Sequence, residues 1–320
     1  MTTTDPTPAL RISGPADLLQ AIPYLLGFHP ARSLVLVGLA DARLVVTARM
    51  DVDDLADEAT LRHTMASMLR GGARTLVVAV FDDDPPASGT GPAWQGLPAD
   101  LRSRCAEAGV AVGVAADVAD VLLVARGRWW SLRCADPGCC PPEGHELPEA
   151  PPVVAAATYA GLVALPDRDS LGALLDPVAD TDREAMVPHL AAAEREAGEA
   201  RTPVLRRRWE LRQRRALLTA AAAADSRTVD LDVAVVAGFG VALRSIPVRD
   251  AMWAAADGGR IDGRPLWREL ARRLPSPYDA APLFLFGWGS WRHGHGALAN
   301  IACDRSLASD PAYSAADLLL

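Results

Sequence analysis

The sequence predicts an α/β domain with a mixed sheet over residues 1–150, followed by an all-helical domain over residues 151–320. Three observations carry this. Short apolar runs such as Ser33–Leu39 and Thr75–Phe81 have strand length and alternate with helical stretches. A Pro-rich segment from Pro141 to Pro152 marks a break. Beyond it the pattern is helical.

In the first domain, Ser13-Gly-Pro15 reads as a helix start, with Pro15 at the first helical position and Asp17 in the first turn. Pro23 is expected to break or kink that helix, and Gly27 and Pro30 to end it. Ser33–Leu39 is a continuous apolar run and reads as a buried strand, turning at Ala40-Asp41-Ala42 into a hairpin partner, Arg43–Met50. Asp53 or Asp54 is expected to cap a helix from Leu55 to Arg70, which Gly71-Gly72 stop. Thr75–Phe81 is another buried strand, and the Asp/Pro/Gly-rich stretch Asp82–Pro92 is a loop. A helix from Pro98 to Ala108, stopped by Gly109, leads to an expected strand at Val110–Ala115. Val118–Ala125 and Arg128–Arg133 read as a hairpin around Arg126-Gly127. The order strand-strand-helix-strand-helix-strand-strand-strand implies an α/β domain with a mixed sheet.

In the second domain, Val153–Leu165 is the longest nearly apolar run, too short to span a bilayer, and reads as a buried helix. Thr181-Asp-Arg-Glu184 fits a capping box. The stretch Arg201–Ala224 contains a strongly basic helix, Arg206–Arg215, with Trp209 and Leu211 marking its packed side. Helices follow at Asp230–Ser245, Val248–Asp257 and Pro265–Leu274. The last forty or so residues resemble one tetratricopeptide-type helical hairpin, with Gly287 in the first helix, a turn at Gly294-His-Gly296, and Ala299, Leu307 and Asp310-Pro311 at suitable spacing.

Half the residues are hydrophobic, which excludes wholesale disorder. The net charge of −8 argues against bulk electrostatic binding to nucleic acid or an anionic membrane, and favours a solvated or salt-bridged arginine helix over a nucleic-acid-binding one. The N-terminal residues show neither the basic nor the apolar region of a secretion signal, so the expectation is cytoplasmic. Thiols stay reduced there, and five is an odd number of cysteines, so structural disulfides are not expected.

The densest chemistry lies at Cys134-Ala-Asp-Pro-Gly-Cys139-Cys140-Pro-Pro-Glu-Gly-His145. Zinc takes Cys thiolates and His nitrogens in closely spaced sets. Cys134, Cys139, Cys140 and His145 are therefore the candidate metal ligands, with zinc the candidate ion. Adjacent cysteines strain a single tetrahedral site, so a redox role and plain structural thiols stay open beside the metal reading.

A second candidate is an enzyme site in the α/β domain. Asp51 and Asp53 follow one predicted strand and Asp82, Asp83 and Asp84 another, and carboxylates at strand ends can hold Mg²⁺. With His29 and a thiolate from Cys139 or Cys140, Asp51 and Asp82 would form a hydrolase or thiol-dependent centre. Against it, no Gly-x-Ser-x-Gly elbow surrounds Ser33, the serine nearest His29. His293 and His295 flank a turn glycine and form a weaker pair.

Several segments together resemble the actinobacterial domain-of-unknown-function 4192 family. They are Pro23-Tyr-Leu-Leu-Gly-Phe-His-Pro30 with Ser33-Leu-Val35, Cys139-Cys-Pro-Pro-Glu-Gly144, Pro247-Val-Arg-Asp250, and Trp291 through Ala299 with Asp310-Pro-Ala-Tyr-Ser314. The resemblance spans nearly the whole chain. It implies no activity, only that the cysteine loop and the Gly-Phe-His-Pro turn are not peculiar to this chain. The expectation is a non-enzymatic binding or regulatory protein that meets another protein through its helical domain and carries a Cys/His metal or redox loop. The alternative is an enzyme with its site in the α/β domain.

Overall fold

The computed structural model describes residues 10–83, 96–149, 151–225 and 230–319. The chain divides into two units between Arg168 and Asp169.

The first unit opens with α1 (Pro15–Leu26), which passes through Pro23 rather than breaking there. Gly27 ends it in the left-handed region at φ 86°, its N–H donating to the Pro23 carbonyl. Strands β1 (Ser33–Ala40) and β2 (Arg43–Asp51) pair antiparallel across the turn at Asp41-Ala42. A 3-10 turn (Val52–Ala56) intervenes before α2 (Glu58–Arg70). Asp57, not Asp53 or Asp54, caps α2, its carboxylate accepting from the N–H groups of Ala59 and Thr60.

Next come β3 (Thr75–Phe81) and α3 (Leu97–Val112). The strand expected at Val110–Ala115 is absent, because α3 runs on to Val112. Gly109 is not its stop: it sits inside the helix where a Cβ would lie 2.4 Å from the Val114 carbonyl oxygen. The stop is Gly113 at φ 70°. Strands β4 (Asp117–Ala125), β5 (Arg128–Ser131) and the two-residue β6 (His145–Glu146), not foreseen from the sequence, follow. The unit closes with α4 (Pro152–Tyr159).

Among the described residues these strands form one six-stranded sheet ordered β2-β1-β3-β4-β5-β6. Only β3 and β4 pair in parallel, so the sheet is mixed, as predicted. Alternate residues on one face, Leu34, Leu36, Leu76, Val78, Val80, Val121 and Leu123, pack in one cluster with Leu61, Met65 and Leu69 of α2 and Leu101, Cys105 and Ala108 of α3. Truncating such a leucine to alanine typically costs about 2–5 kcal/mol.

The second unit is helical. After α5 (Arg168–Gly172) come α6 (Asp180–Glu199), α7 (Pro203–Ala224), α8 (Val233–Leu243), α9 (Ile246–Asp257), α10 (Arg264–Arg273), α11 (Ala280–Arg292), α12 (Gly296–Ser309) and α13 (Ser314–Asp317). The expected capping box at Thr181 does not form. Ala179 is the N-cap of α6, so Thr181 already lies in the first turn. On α7 the buried side is Trp209, Leu217, Ala221 and Ala224, while Leu211 is exposed. Leu211 stands two residues past Trp209, which carries it far round the helix at about 100° per residue. Helices α11 and α12 form the C-terminal hairpin. A Cβ on Gly287 would come within 3.0 Å of the Cys303 sulfur and 3.2 Å of the Ala299 carbonyl oxygen, so small residues set the close approach. Ser306 is buried and donates to the Ala280 carbonyl. No helix among the described residues is long and apolar enough to cross a membrane.

Candidate metal centre in the cysteine loop

The cysteine loop leaves the end of β5 and returns through β6, so the sheet anchors both of its ends. At the start, the Leu132 N–H donates to the Val121 carbonyl at 2.8 Å, and the Arg133 guanidinium donates to the carbonyls of Val118 and Ala119. At the far end, Arg128 donates to the carbonyls of Glu143 (3.1 Å) and Gly144 (3.0 Å) and pairs with the Glu146 carboxylate at 2.6 Å. The Trp130 indole N–H donates to the Pro142 carbonyl at 3.0 Å. Gly144, at φ 75°, lies against that indole, where a Cβ would fall 2.4 Å from a ring carbon.

Asp136 organises the middle. Its carboxylate accepts the Gly138 N–H at 2.9 Å, and its carbonyl accepts the N–H groups of Cys139 (3.1 Å) and Cys140 (2.7 Å). Aspartate in an Asp-Pro-Gly turn does this because its short side chain reaches its own backbone two residues on. The turn folds the chain back sharply enough for Cys134 to meet Cys139 and Cys140.

The three sulfurs lie within 4.8 Å of one another. Two sulfurs on one zinc, each at about 2.3 Å, stand roughly 3.8 Å apart in tetrahedral geometry, so the cluster is close to ligating size. Cys134 and Cys140 are half-buried and Cys139 is exposed. The Asp136 backbone N–H, followed by the Cys140 thiol, holds Cys134 below the ordinary thiol range. Burial, reinforced by hydrogen bonding to Cys134, pushes Cys140 up to about 12. Cys140 is thus the donor of this pair and Cys134 the acceptor. A metal ion would replace the proton that Cys140 donates.

His145, expected as a ligand, is not in the cluster. Its Nε2–H donates to the Cys139 carbonyl at 2.9 Å, and its ring stacks on Trp129 with centroids 4.5 Å apart. Cross-strand pairing in the β5–β6 ladder sets that position, since His145 is opposite Trp129. The histidine thus fixes the backbone of the loop instead of entering the sulfur group. Trp130, Arg128 and Asp136 were missed as supports. Only Asp136 carried a signal, in its turn tripeptide.

The residues of the alternative site are not brought to the cysteines. In the sheet register Ser33 lies opposite both Asp51 and Phe81, so Asp51 and Asp82 share one end of the sheet. The cysteine loop leaves the other end, where Arg133 reaches the first residues of β4. His29, Asp51 and Asp82 therefore form no common site with Cys139 or Cys140. Asp51 pairs with Arg49 at 2.6 Å and Asp53 with Arg32 at 2.9 Å. Asp82 is buried, Asp83 accepts the Arg126 N–H at 3.0 Å, and Asp84 lies outside the described residues. His29 is exposed, whereas Ser33 is buried, donating to the Ala31 carbonyl and accepting from Arg49. In the second unit His293 Nδ1–H donates to the Gly289 carbonyl, and burial, with Arg264 nearby, lowers the His295 pKa.

Cys105 lies in the core between α3 and the sheet, where burial pushes its thiol up to about 11. Cys303 is buried in the second unit and also pushed up to about 11 by burial.

A family model described as a domain of unknown function (DUF4192) matches residues 15–320. That match concerns the chain as a whole and does not confirm a tetratricopeptide unit at its C-terminus. No curated protein and no solved structure matches the chain.

Proposed function

Because this chain belongs to the DUF4192 family, a domain of unknown function, we propose its role from the loop chemistry: a metal-binding protein that holds zinc through Cys134, Cys139 and Cys140. One observation carries the reading. Three sulfurs from a single seven-residue segment converge to within 4.8 Å in a loop that the sheet, Trp130 and Asp136 already hold in shape. Thiolates suit zinc and other soft or borderline ions, and pre-ordering the loop lowers the entropy lost on binding. The metal then serves a regulatory or structural purpose in a binding protein, with the helical unit left for a protein partner.

The test is cysteine alkylation followed site by site by mass spectrometry. Reduced, chelator-treated protein is expected to label readily at Cys134 and Cys139 and slowly at Cys140, whose thiol burial pushes up, and one equivalent of zinc to protect Cys134 and Cys139 together. Buried Cys105 and Cys303 label slowly in both states. Equal labelling with and without zinc would overturn the reading.

A second reading has one observation in its favour. A thiol held low at Cys134 beside an exposed Cys139 suits thiol–disulfide exchange. It shifts the reactive thiolate from Cys139 or Cys140, as the sequence suggested, to Cys134. Fast labelling confined to Cys134 and insensitive to zinc would support it.

A further inference from the structure

We propose that a metal ion on this loop keeps one coordination position open to solvent, held by water and exchangeable for a small Lewis base such as an imidazole or a thiol. The inference rests on the metal reading above and deepens it, from a closed structural site to one that accepts an external ligand.

All five cysteines and all six histidines of the chain lie among the described residues. Of these, and of the described carboxylates, only Cys134, Cys139 and Cys140 bring ligand atoms together in this loop. Zinc is almost always four-coordinate, so three sulfurs leave one position over. Cys105 and Cys303 are buried in packed cores and cannot reach it without unfolding their surroundings. His63 is exposed on α2, and His29 lies by the opposite end of the sheet.

Among the described residues of the first unit, two neighbours could close the site: Asp136, whose charge acts on Cys134 but whose carboxylate already accepts the Gly138 N–H, and His145. To do so His145 would give up its bond to the Cys139 carbonyl, its stack on Trp129 and its place opposite that residue in β6. Each of these holds the backbone that presents Cys139, so moving His145 inward loosens a ligand while adding one. Pro141-Pro142 and the Trp130 bond to the Pro142 carbonyl restrict the intervening chain. Solvent, by contrast, already reaches the cluster at exposed Cys139. Three protein ligands plus water is the arrangement of zinc sites that exchange ligands or polarise a substrate. The exchange balances: the incoming base forms one bond to the metal and one water leaves, a thiol also releasing its proton to solvent as it binds as thiolate.

The experiment uses the full-length chain loaded with cobalt(II), whose absorption reports ligand number and type. Sulfur-to-cobalt charge-transfer bands should appear at one equivalent. Imidazole should then shift the d–d bands saturably while charge-transfer intensity is retained, and 2-mercaptoethanol, separately, should shift them while raising charge-transfer intensity by one thiolate's share. Thiolate bands whose d–d region ignores both ligands would overturn the open position while leaving the metal reading intact. If the His145→Ala variant alone gained the response, His145 would be the fourth ligand, and the proposal would fail for the natural chain. Absence of any thiolate–cobalt band, with no competition by zinc, would overturn the metal reading and this inference with it.

Discussion

Replacing Gly144 by alanine is expected to destabilise the first unit by about 2–4 kcal/mol and to weaken metal binding at least tenfold. The effect has two sources. At φ 75° an L-residue is strained, by roughly 1–2 kcal/mol. In addition, the new Cβ would fall 2.4 Å from the Trp130 indole, so the ring must move. Moving it breaks the indole bond to the Pro142 carbonyl, worth about 1 kcal/mol. It also disturbs a side chain packed on the core cluster. Gly127 provides the control, since it too has φ 75° but nothing lies within 4 Å of its Cβ position. Gly127→Ala should therefore show the backbone strain alone and leave metal affinity unchanged. Denaturant unfolding of both variants, with zinc titration against a chromophoric chelator, checks this. Equal losses at the two glycines would show that Trp130 does not shape the loop.

Changing Cys140 to serine is expected to weaken zinc binding by about two orders of magnitude. Structural zinc sites in small peptides bind with roughly 10–16 kcal/mol over four ligands, so one thiolate carries about 3 kcal/mol. Serine is nearly isosteric but does not ionise to a useful ligand near neutral pH, so the loop should keep its shape while losing the donor. Cys303→Ser changes a thiol in the other unit and should leave affinity unaltered. The same chelator competition reads both variants. A Cys140→Ser protein that binds zinc as tightly as the natural chain would remove Cys140 from the ligand set and leave only two sulfurs.

Strands β1 to β5 and the cysteine cluster could be read from the sequence because their signals are local, whereas Val110–Ala115 resembled a strand, yet its first half is the end of α3. The continuous apolar runs at Ser33–Leu39 and Thr75–Phe81 have strand length, are rich in Val and Leu, and are followed by turn residues, which together favour a buried strand. Glycines misled where their role was packing. Gly109 looks like a helix stop, yet it serves a close approach to the Val114 carbonyl, and Gly113 four residues on makes the true stop. Strand β6 was invisible because two residues carry no periodicity; pairing with β5 creates it. That pairing also decides the fate of His145. Spacing alone made it a ligand, but the strand register holds it over Trp129 and against a backbone carbonyl. The combination of carboxylates with a cysteine thiolate is not assembled, for a topological reason. Asp51, Asp82 and the cysteines all follow strands, but strand direction sends them to opposite ends of the sheet. Direction is set by long-range pairing, which residue types near each turn do not encode.

We infer that Cys134, Cys139 and Cys140 together hold one metal ion. The most direct test is elemental mass spectrometry of reduced, untagged protein beside the Cys134→Ser/Cys139→Ser double variant, both equilibrated with zinc and freed of excess. About one zinc per chain in the natural protein and essentially none in the double variant is the expected result. Equal zinc in both proteins, or none in either, would contradict the claim.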